Sequence, residues 1–245
     1  MRSFLLLVVL AIVVAPSLGC SSGVSQLRAT PWMSSIAEEM LKTPGDREIE
    51  RVMARKVELH PPFKLAVVNV SGDYYGRNGV EESRSAWDEL AKSSSSLISK
   101  VVFLPSLNLA RYGNTDAKRT ILEDARRLAA QSQADLLFLY QSGSDTDTFF
   151  TPIICVFDLT IVGYYIMPGR TVDSLSIAHG LLIDVKTGVI LDSLHGEARK
   201  TTQVISALAD QYRKSFEEET SRGAVQALLP KIGQSLSQET KRSEY

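Results

Sequence analysis

The chain is poor in cysteine and histidine. It contains two cysteines, Cys20 and Cys155, and three histidines among 245 residues. Two cysteines allow at most one intramolecular disulfide, which excludes the disulfide-dense scaffolds of small secreted proteins. With 27 basic and 28 acidic residues the formal net charge is -1. This balance gives no electrostatic reason to expect nucleic acid or an anionic membrane surface as a partner.

The sequence also lacks the short motifs that mark common catalytic sites. It has no G-x-S-x-G nucleophile elbow, no phosphate-binding loop, no dinucleotide fingerprint, no H-E-x-x-H and no C-x-x-C. We therefore predict a protein that is not an enzyme and that uses no cofactor and no metal. No residue is predicted to be catalytic.

The amino terminus carries an apolar run that is too short to cross a bilayer. A short positive region, residues 1–3 (MRS), precedes the uncharged apolar residues 4–14 (FLLLVVLAIVV), and Pro16 and Gly19 then interrupt the run. A helix needs about 20 residues to span the hydrocarbon core. The pattern is typical of a bacterial secretory signal, which we place at residues 1–19.

Cys20 follows this signal directly and is predicted to be a lipid attachment site. The stretch SLGCSS resembles a lipobox, in which a peptidase cuts before a diacylglyceryl-modified cysteine; Gly19 is suitably small, although Ser17 stands where leucine is usual. Ser21, rather than aspartate, follows the cysteine, which favours the outer membrane in Gram-negative lipoproteins. We expect an envelope protein anchored to the inner leaflet of the outer membrane and facing the periplasm. A free thiol after ordinary signal cleavage and a disulfide with Cys155 are the alternatives.

The rest of the chain divides where its pattern changes. A small polar stretch is predicted to be a tether, and two apolar stripes at helical spacing predict short amphipathic helices that end in a connector at His60-Pro61-Pro62. The predicted segments are the lipidated tether at 20–31, the helices and connector at 32–62, an α/β domain at 63–236 and a polar tail at 237–245.

The first half of the α/β domain alternates between strand and helix patterns. Short apolar runs predict strands at 63–70, 99–105 and 135–141, and amphipathic segments predict helices at 80–97 and 114–131. The connection lengths suit right-handed parallel crossovers. Nearly continuous apolar strands are typical of a sheet that helices cover on both faces.

The second half predicts an antiparallel addition to this sheet. A polar loop is expected at 142–148, a hairpin at 172–198 with its turn at 186–188, and a helix at 202–236 that Gly223 and Pro230 bend or divide. The predicted fold class is therefore α/β: a three-layer sandwich with a mixed sheet, which has a parallel βαβαβ start, an antiparallel meander and C-terminal helices.

Residues 149–169 are apolar enough to raise the question of membrane contact. The span between the two prolines is short for a transmembrane helix, and Asp158 lies in its middle. A buried strand or bent strand pair explains this stretch better. The alternative is a membrane-inserting hairpin of an oligomeric channel.

His179 and His195 are the candidates for a weak functional site. They lie on the two arms of the predicted hairpin, seven residues on either side of its turn, whereas His60 lies in the connector and is expected at the surface. A metal site would need a third ligand, and the spacing matches no known ligand motif. The carboxylates near enough in sequence are Asp173, Asp184, Asp192 and Glu197.

Two further constellations contain reactive residue types. Cys155, His179 and Asp184 could supply a cysteine nucleophile with its base, although Cys155 lies in an apolar stretch where buried structural thiols are common. Asp145 and Asp147 form a D-x-D pair that could bind a cation, and a plain loop is the simpler interpretation. An envelope hydrolase that uses His179 or His195 remains an alternative function.

Residues 159–191 (LTIVGYYIMPGRTVDSLSIAHGLLIDVKTGVIL) resemble the rhombotarget lipoproteins, a bacterial family. Upstream stretches such as KLAVVNV and ILEDARRLAAQSQADLLFLYQ are also similar to it. The chain ends in SQETKRSEY and departs from the carboxy-terminal sorting tail for which that family is named. The residues that carry the resemblance are Gly163, Tyr165, Pro168, Gly169, Asp173, Asp184 and Leu191.

The layout is similar to a wider group of periplasmic α/β domains. This group includes the curli-secretion lipoprotein and the amino-terminal domain of the Tol–Pal propeller protein. The resemblance implies a three-layer sandwich and says little about activity, since fold does not imply function. We expect an envelope interaction or assembly module. Its partners are the membrane and envelope proteins, and copies of the chain are expected to form a homo-oligomer. An oligomeric secretion or pore component like the curli channel is the alternative.

Overall fold

The computed structural model describes residues 54, 55, 57–71, 79–108, 117–150, 165 and 169–243. The predicted signal, Cys20 and the tether lie outside these residues. So do Cys155, Asp158 and nearly all of the two helices predicted between residues 32 and 57.

Three long helices and six strands make up the described part of the chain. The strands are β1 (Phe63–Ser71), β2 (Ile98–Phe103), β3 (Leu107–Asn108), β4 (Leu136–Phe150), β5 (Arg170–Asp184) and β6 (Ile190–Val204). The α-helices are α1 (Gly79–Ser93), α2 (Ala117–Gln131) and α3 (Ala209–Ser243), with a short 3-10 turn at Ser206–Leu208 before α3.

The strands form one mixed sheet. Its order is β2-β1-β4-β5-β6, with β3 paired to the end of β1. Strand β1 runs parallel to β2 and to β4, and the later strands are antiparallel. The predicted α/β class with a parallel start and an antiparallel continuation is therefore confirmed.

The chain separates into two compact units. The smaller unit comprises Ser144–Leu175 and Arg199–Thr220, together with residues 1–29, and the larger unit comprises Thr30–Gly143, Ser176–Ala198 and Ser221–Tyr245. Four elements contribute one segment to each unit: strands β4, β5 and β6 and helix α3.

In the larger unit, helices cover both faces of the sheet because the strand side chains alternate. On β1, Leu65 and Val67 join the apolar cluster that contains residues of α1 and α3, whereas Ala66 and Val68 join the cluster that contains α2. Burying both faces of a strand requires a nearly continuous apolar sequence. This explains why the run FKLAVVNV contains so few charges.

Trp87 of α1 anchors the cluster on the first of these faces. Its side chain is fully buried, and its ring centroid lies 5.6 Å from that of Phe138 and 6.0 Å from that of Tyr140. Aromatic pairs at these separations add to the free energy gained from the buried area. Burial also raises the pKa of the Tyr140 phenol far above its usual value, so the phenol stays neutral.

Helix α3 lies so close to β6 that only glycine fits at the contact. A Cβ atom added to Gly196 would stand 2.2 Å from the carbonyl oxygen of Ala224 and 3.1 Å from the backbone nitrogen of Leu228. The missing side chain therefore lets the helix backbone pack directly on the strand.

The predicted hairpin turn is confirmed between β5 and β6. Gly188 has a φ of 74°, in the left-handed region that glycine adopts readily. The Asp184 carboxylate accepts hydrogen bonds from the Thr187 backbone N–H, at 2.9 Å, and from the Thr187 hydroxyl. Asp184 thus closes the turn, as aspartate commonly does through its side chain.

The polar stretch at 142–148 is strand and not the predicted loop. It continues β4 as far as Phe150. The Thr146 hydroxyl lies 2.8 Å from that of Ser174 on β5, within the smaller unit. Pairing with a neighbouring strand therefore overrides the turn preference of serine, glycine and aspartate.

The C-terminal helix differs from the prediction at both ends. Residues 202–204 belong to β6, and α3 runs without division past Gly223 and Pro230 to Ser243. Most of the predicted polar tail is thus helical, and Thr240 donates a hydrogen bond to the Leu236 carbonyl at 2.8 Å. Apolar residues around the proline are buried in the core and keep α3 in place: Leu228, Leu229 and Ile232.

Candidate functional site

The smaller unit contains a buried carboxylate with a charged partner. Asp173 of β5 is 2% exposed. Arg199 of β6 donates from Nε and Nη2 to the two carboxylate oxygens, at 3.1 and 2.6 Å, and the Thr201 hydroxyl donates to Oδ1 at 2.6 Å. This is a bidentate pair, the geometry in which arginine and carboxylate bind most strongly. We call these three residues the Asp173 cluster.

Hydroxyl groups line the opposite side of β5 in the same unit. The Ser174 hydroxyl, which is fully buried, lies 2.8 Å from that of Thr146 and 3.0 Å from that of Thr220. Thr220 in turn donates to the Phe216 carbonyl of α3 at 2.7 Å. Asp173 and Ser174 are neighbours in a strand, so their side chains point to opposite faces.

Both groups have the character of structural polar clusters. The Asp173 carboxylate accepts charge-assisted bonds, and each buried hydroxyl has another hydroxyl or a carbonyl as its partner. Buried polar groups stabilise a fold when their hydrogen bonds are satisfied. This arrangement fixes the pairing of β5 with β4 and β6 and with the start of α3.

An exposed aromatic group lies near the start of α3 in the smaller unit. Tyr212 is 40% exposed and meets the buried Phe216 edge to face, with ring centroids 5.8 Å apart. The Lys200 ammonium lies 4.4 Å from the centroid of the Phe216 ring. A cation over an aromatic face at this distance is favourable.

The larger unit brings the two candidate histidines together, on β5 and β6. The ring centroids of His179 and His195 lie 6.2 Å apart with an angle of 28° between the ring planes. His179 is half-buried and His195 is exposed. Burial, and then the charge of His195, lower the pKa of His179 below its usual 6.5.

A third polar side chain belongs to the same row across the sheet. The Val185 N–H donates to the Asp135 carbonyl, which fixes an antiparallel register of β4 and β5 with Gln141 opposite His179. Gln141 and His179 each lie two positions along their strand from a leucine of the apolar cluster that contains α2. Side chains two positions apart on a strand point to the same face, so Gln141 and His179 both lie on the α2 face of the sheet. The Gln141 Oε1 atom is buried and has no hydrogen-bond partner.

The carboxylates considered as possible third metal ligands do not gather around the histidines. Asp184 closes the hairpin turn, Asp173 belongs to its own cluster, and Asp192 accepts a hydrogen bond from the Ser193 N–H at 2.7 Å. Glu197 lies on the exposed side of β6. Within the described ranges, no three His, Cys, Asp or Glu side chains form a group that could hold a metal ion.

The other predicted constellations have separate outcomes. Asp145 and Asp147 lie on strand β4, and Asp147 accepts a hydrogen bond from the Thr148 N–H at 2.8 Å. Cys155 and Cys20 lie outside the described residues, so the nucleophile considered at Cys155 is untested and the lipid site at Cys20 stays a prediction. No helix within the described part of the chain has the length and apolar character needed to cross a membrane.

The Asp173 cluster is the feature that sequence reasoning missed. The sequence offers Asp173 as a possible ligand beside the histidines and as part of the family resemblance, although an aspartate inside an apolar strand already indicates a buried partner. The bond from the Asp184 N–H to the Val189 carbonyl at the turn would pair Asp173 with Lys200, whereas Thr201 is the residue that reaches Asp173. The register of the turn therefore does not continue unchanged along both strands, and the turn alone could not reveal the cluster.

No protein-family model matches the chain, and none of the curated proteins matches it. Solved structures with a similar arrangement include bacterial lipoproteins. A PelC dodecamer from Paraburkholderia phytofirmans is 14% identical, with a TM-score of 0.34, and the alignment covers 71% of this chain and 86% of that one. A lipoprotein from Neisseria meningitidis is 16% identical, with a TM-score of 0.32 and coverage of 63% and 94%.

A third solved structure, from Xanthomonas campestris, is 10% identical with a TM-score of 0.36 and covers 78% of this chain and 95% of its own. Similarities this weak carry no argument about function.

The class that the fold defines is an α/β sandwich with a mixed sheet. Membership of the rhombotarget family stays a prediction.

Proposed function

We propose that this protein is a lipoprotein of the cell envelope, anchored through Cys20, that acts as a non-enzymatic interaction or assembly module on the periplasmic side of the outer membrane. The anchor is supported by the signal-like residues 1–19 and the stretch SLGCSS. A tether of this kind keeps the folded domain beside a membrane, where envelope partners are concentrated.

The observation that carries the interaction role is the position of β6. This 15-residue strand forms an edge of the sheet that the described strands build. Its inward side chains pack against α3, and its other side faces solvent with a polar row. The exposed residues of that row are Ser193, His195 and Glu197 in the larger unit; in the smaller unit they are Arg199, Thr201 and Gln203.

An edge strand offers backbone N–H and C=O groups to another extended chain. Such strand addition is a recurrent mode of protein recognition, in which the backbone supplies affinity and the alternate side chains supply specificity. The charges of Glu197, Arg199 and Lys200 discourage unspecific pairing of the edge. We propose that an envelope protein, or a second copy of this chain, adds a strand here.

Within the part of the chain that the structure describes, the internal bonding of three polar groups supports a role without catalysis. The carboxylates of Asp173 and Asp184 accept structural hydrogen bonds, and the hydroxyl of Ser174 belongs to a buried hydroxyl chain. A nucleophile would instead need a general base within hydrogen-bond reach.

Site-specific crosslinking in intact cells tests the proposal. A photo-crosslinking residue at Ser193, on the exposed side of β6, should give discrete adducts in the membrane fraction. The matched control is the same residue at Glu89, which is exposed on α1. An adduct of twice the chain's mass would identify a second copy, and a larger or smaller adduct another protein. Equal adducts at both positions, or none at Ser193, would contradict the proposal.

A further inference from the structure

We propose that His179 and His195 bind a late first-row transition-metal ion such as Zn²⁺ or Cu²⁺, with Gln141 orienting His179. The proposed envelope role does not depend on this site. Metal–imidazole bonds are about 2.0–2.1 Å long, so two of them span about 4 Å. The ring centroids lie 6.2 Å apart and the rings are stacked with 28° between their planes, so a ring has to turn before one nitrogen of each points at a common ion.

The side chains can reach a chelating geometry when the exposed ring of His195 rotates. His179 and His195 lie on adjacent antiparallel strands, and the planes of their rings differ by 28°. His195 is exposed, so its side chain can rotate without disturbing the core. Residues that face each other on neighbouring strands have Cβ atoms about 4.5–5.5 Å apart, close enough for both rings to reach one ion.

The environment of His179 favours the form that binds metal. Only the neutral imidazole has a lone pair for a metal ion, and protons compete for it. Burial and the neighbouring charge of His195 lower the pKa of His179, which favours its neutral form. Protons compete with the ion more strongly as the pH falls.

Gln141 supplies an acceptor that has no other partner. Its Oε1 atom is buried without a hydrogen bond, and the register of β4 with β5 brings the residue opposite His179. An acceptor for one ring N–H fixes the tautomer and leaves the other nitrogen for the ion, as is common for metal-bound histidines. An unsatisfied buried amide oxygen is otherwise costly.

The ligand set selects the class of ion. Imidazole suits Zn²⁺, Cu²⁺ and Ni²⁺, whereas Ca²⁺ and Mg²⁺ need several oxygen ligands. Within the described residues no third histidine, cysteine or carboxylate joins the pair. Open positions on the ion would then be filled by water or by a group from a partner.

Metal titration of the full chain, with any affinity tag removed, tests the site. Zn²⁺ binding is measured by calorimetry at pH 7.5, and Cu²⁺ electron paramagnetic resonance reports the nitrogen ligands. The variants are His179→Gln and His195→Gln, and the matched control is His60→Gln in the exposed connector. We expect one ion per chain in the wild type, with at least tenfold weaker binding and fewer nitrogen couplings in each site variant. The control should match the wild type.

Gln141→Leu separates orientation from ligation. Loss of the group that accepts a hydrogen bond from a metal-bound histidine typically weakens metal binding by 10–100-fold, so this variant should bind more weakly while both nitrogen couplings remain. Circular dichroism checks that every variant is folded. Should His179→Gln fail to fold, His195→Gln decides alone, because its side chain is exposed. Less than a tenfold loss in His195→Gln, or an equal loss in His60→Gln, would overturn the proposal.

Discussion

A single methyl group at Gly196 should separate helix α3 from strand β6. In Gly196→Ala, the new Cβ would lie 2.2 Å from the carbonyl oxygen of Ala224, whereas ordinary van der Waals contact begins at 3.4 Å. The helix backbone would therefore have to retreat by about 1.2 Å, the difference between these two distances. That movement would loosen the packing of Leu228, which is fully buried in the core.

The expected cost follows from the response of cores to added groups. Overpacking typically lowers the free energy of unfolding by about 1–3 kcal/mol. Replacing glycine by alanine also restricts the unfolded chain, which stabilises the protein by about 0.4–1 kcal/mol where the site tolerates a side chain. We expect Gly196→Ala to lower the free energy of unfolding by about 2 kcal/mol.

Urea denaturation followed by circular dichroism measures the effect. For a slope of about 1–3 kcal/mol per molar urea, a loss of about 2 kcal/mol moves the midpoint down by about 1 M. The matched control is Gly143→Ala on β4, where an added Cβ meets nothing within 4 Å. This control should keep the wild-type midpoint or raise it slightly. Equal midpoints for the two variants would refute the close contact of α3 with β6.

Three further predictions concern the polar groups. Asp173→Asn should lower the free energy of unfolding by about 1–3 kcal/mol, because the charge-assisted bonds from Arg199 are lost; an unchanged urea midpoint would argue against the buried pair. Asp184→Ala should cost about 1 kcal/mol, because two hydrogen bonds from Thr187 disappear, and a wild-type midpoint would show that the turn does not need them. The lowered pKa of His179 means that the unfolded state binds more protons, so stability should fall as the pH drops below 6.5. Urea midpoints measured against pH should be flatter in His179→Gln, and parallel curves would exclude this contribution.

Local chemistry made much of the larger unit predictable. The run FKLAVVNV is apolar on both faces, which indicates a central strand before any contact is known. Thr187 and Gly188 mark the hairpin turn, because aspartate with threonine closes a turn and glycine accepts a positive φ. These signals lie within a few residues of one another, so they can be interpreted without the rest of the fold.

The features that were missed depend on residues far apart in sequence. The stretch at 142–148 has the composition of a loop, and its pairing with β5 makes it a strand. The Asp173 cluster needs Arg199 and Thr201, which come from the next strand. Pro230 predicts a break in α3, but the core on either side keeps the helix as one element. Such tertiary effects override local preference.

The most direct test of the central claim is labelling with radioactive palmitate. Cells that express the wild-type chain should incorporate the label into this protein and retain it in the membrane fraction. Cys20→Ala should remain unlabelled and leave that fraction. Cys155→Ala is the matched control, since it changes the only other cysteine, and it should label like the wild type. Equal labelling of the wild type and Cys20→Ala would contradict the anchor, and with it the proposed place of this protein in the envelope.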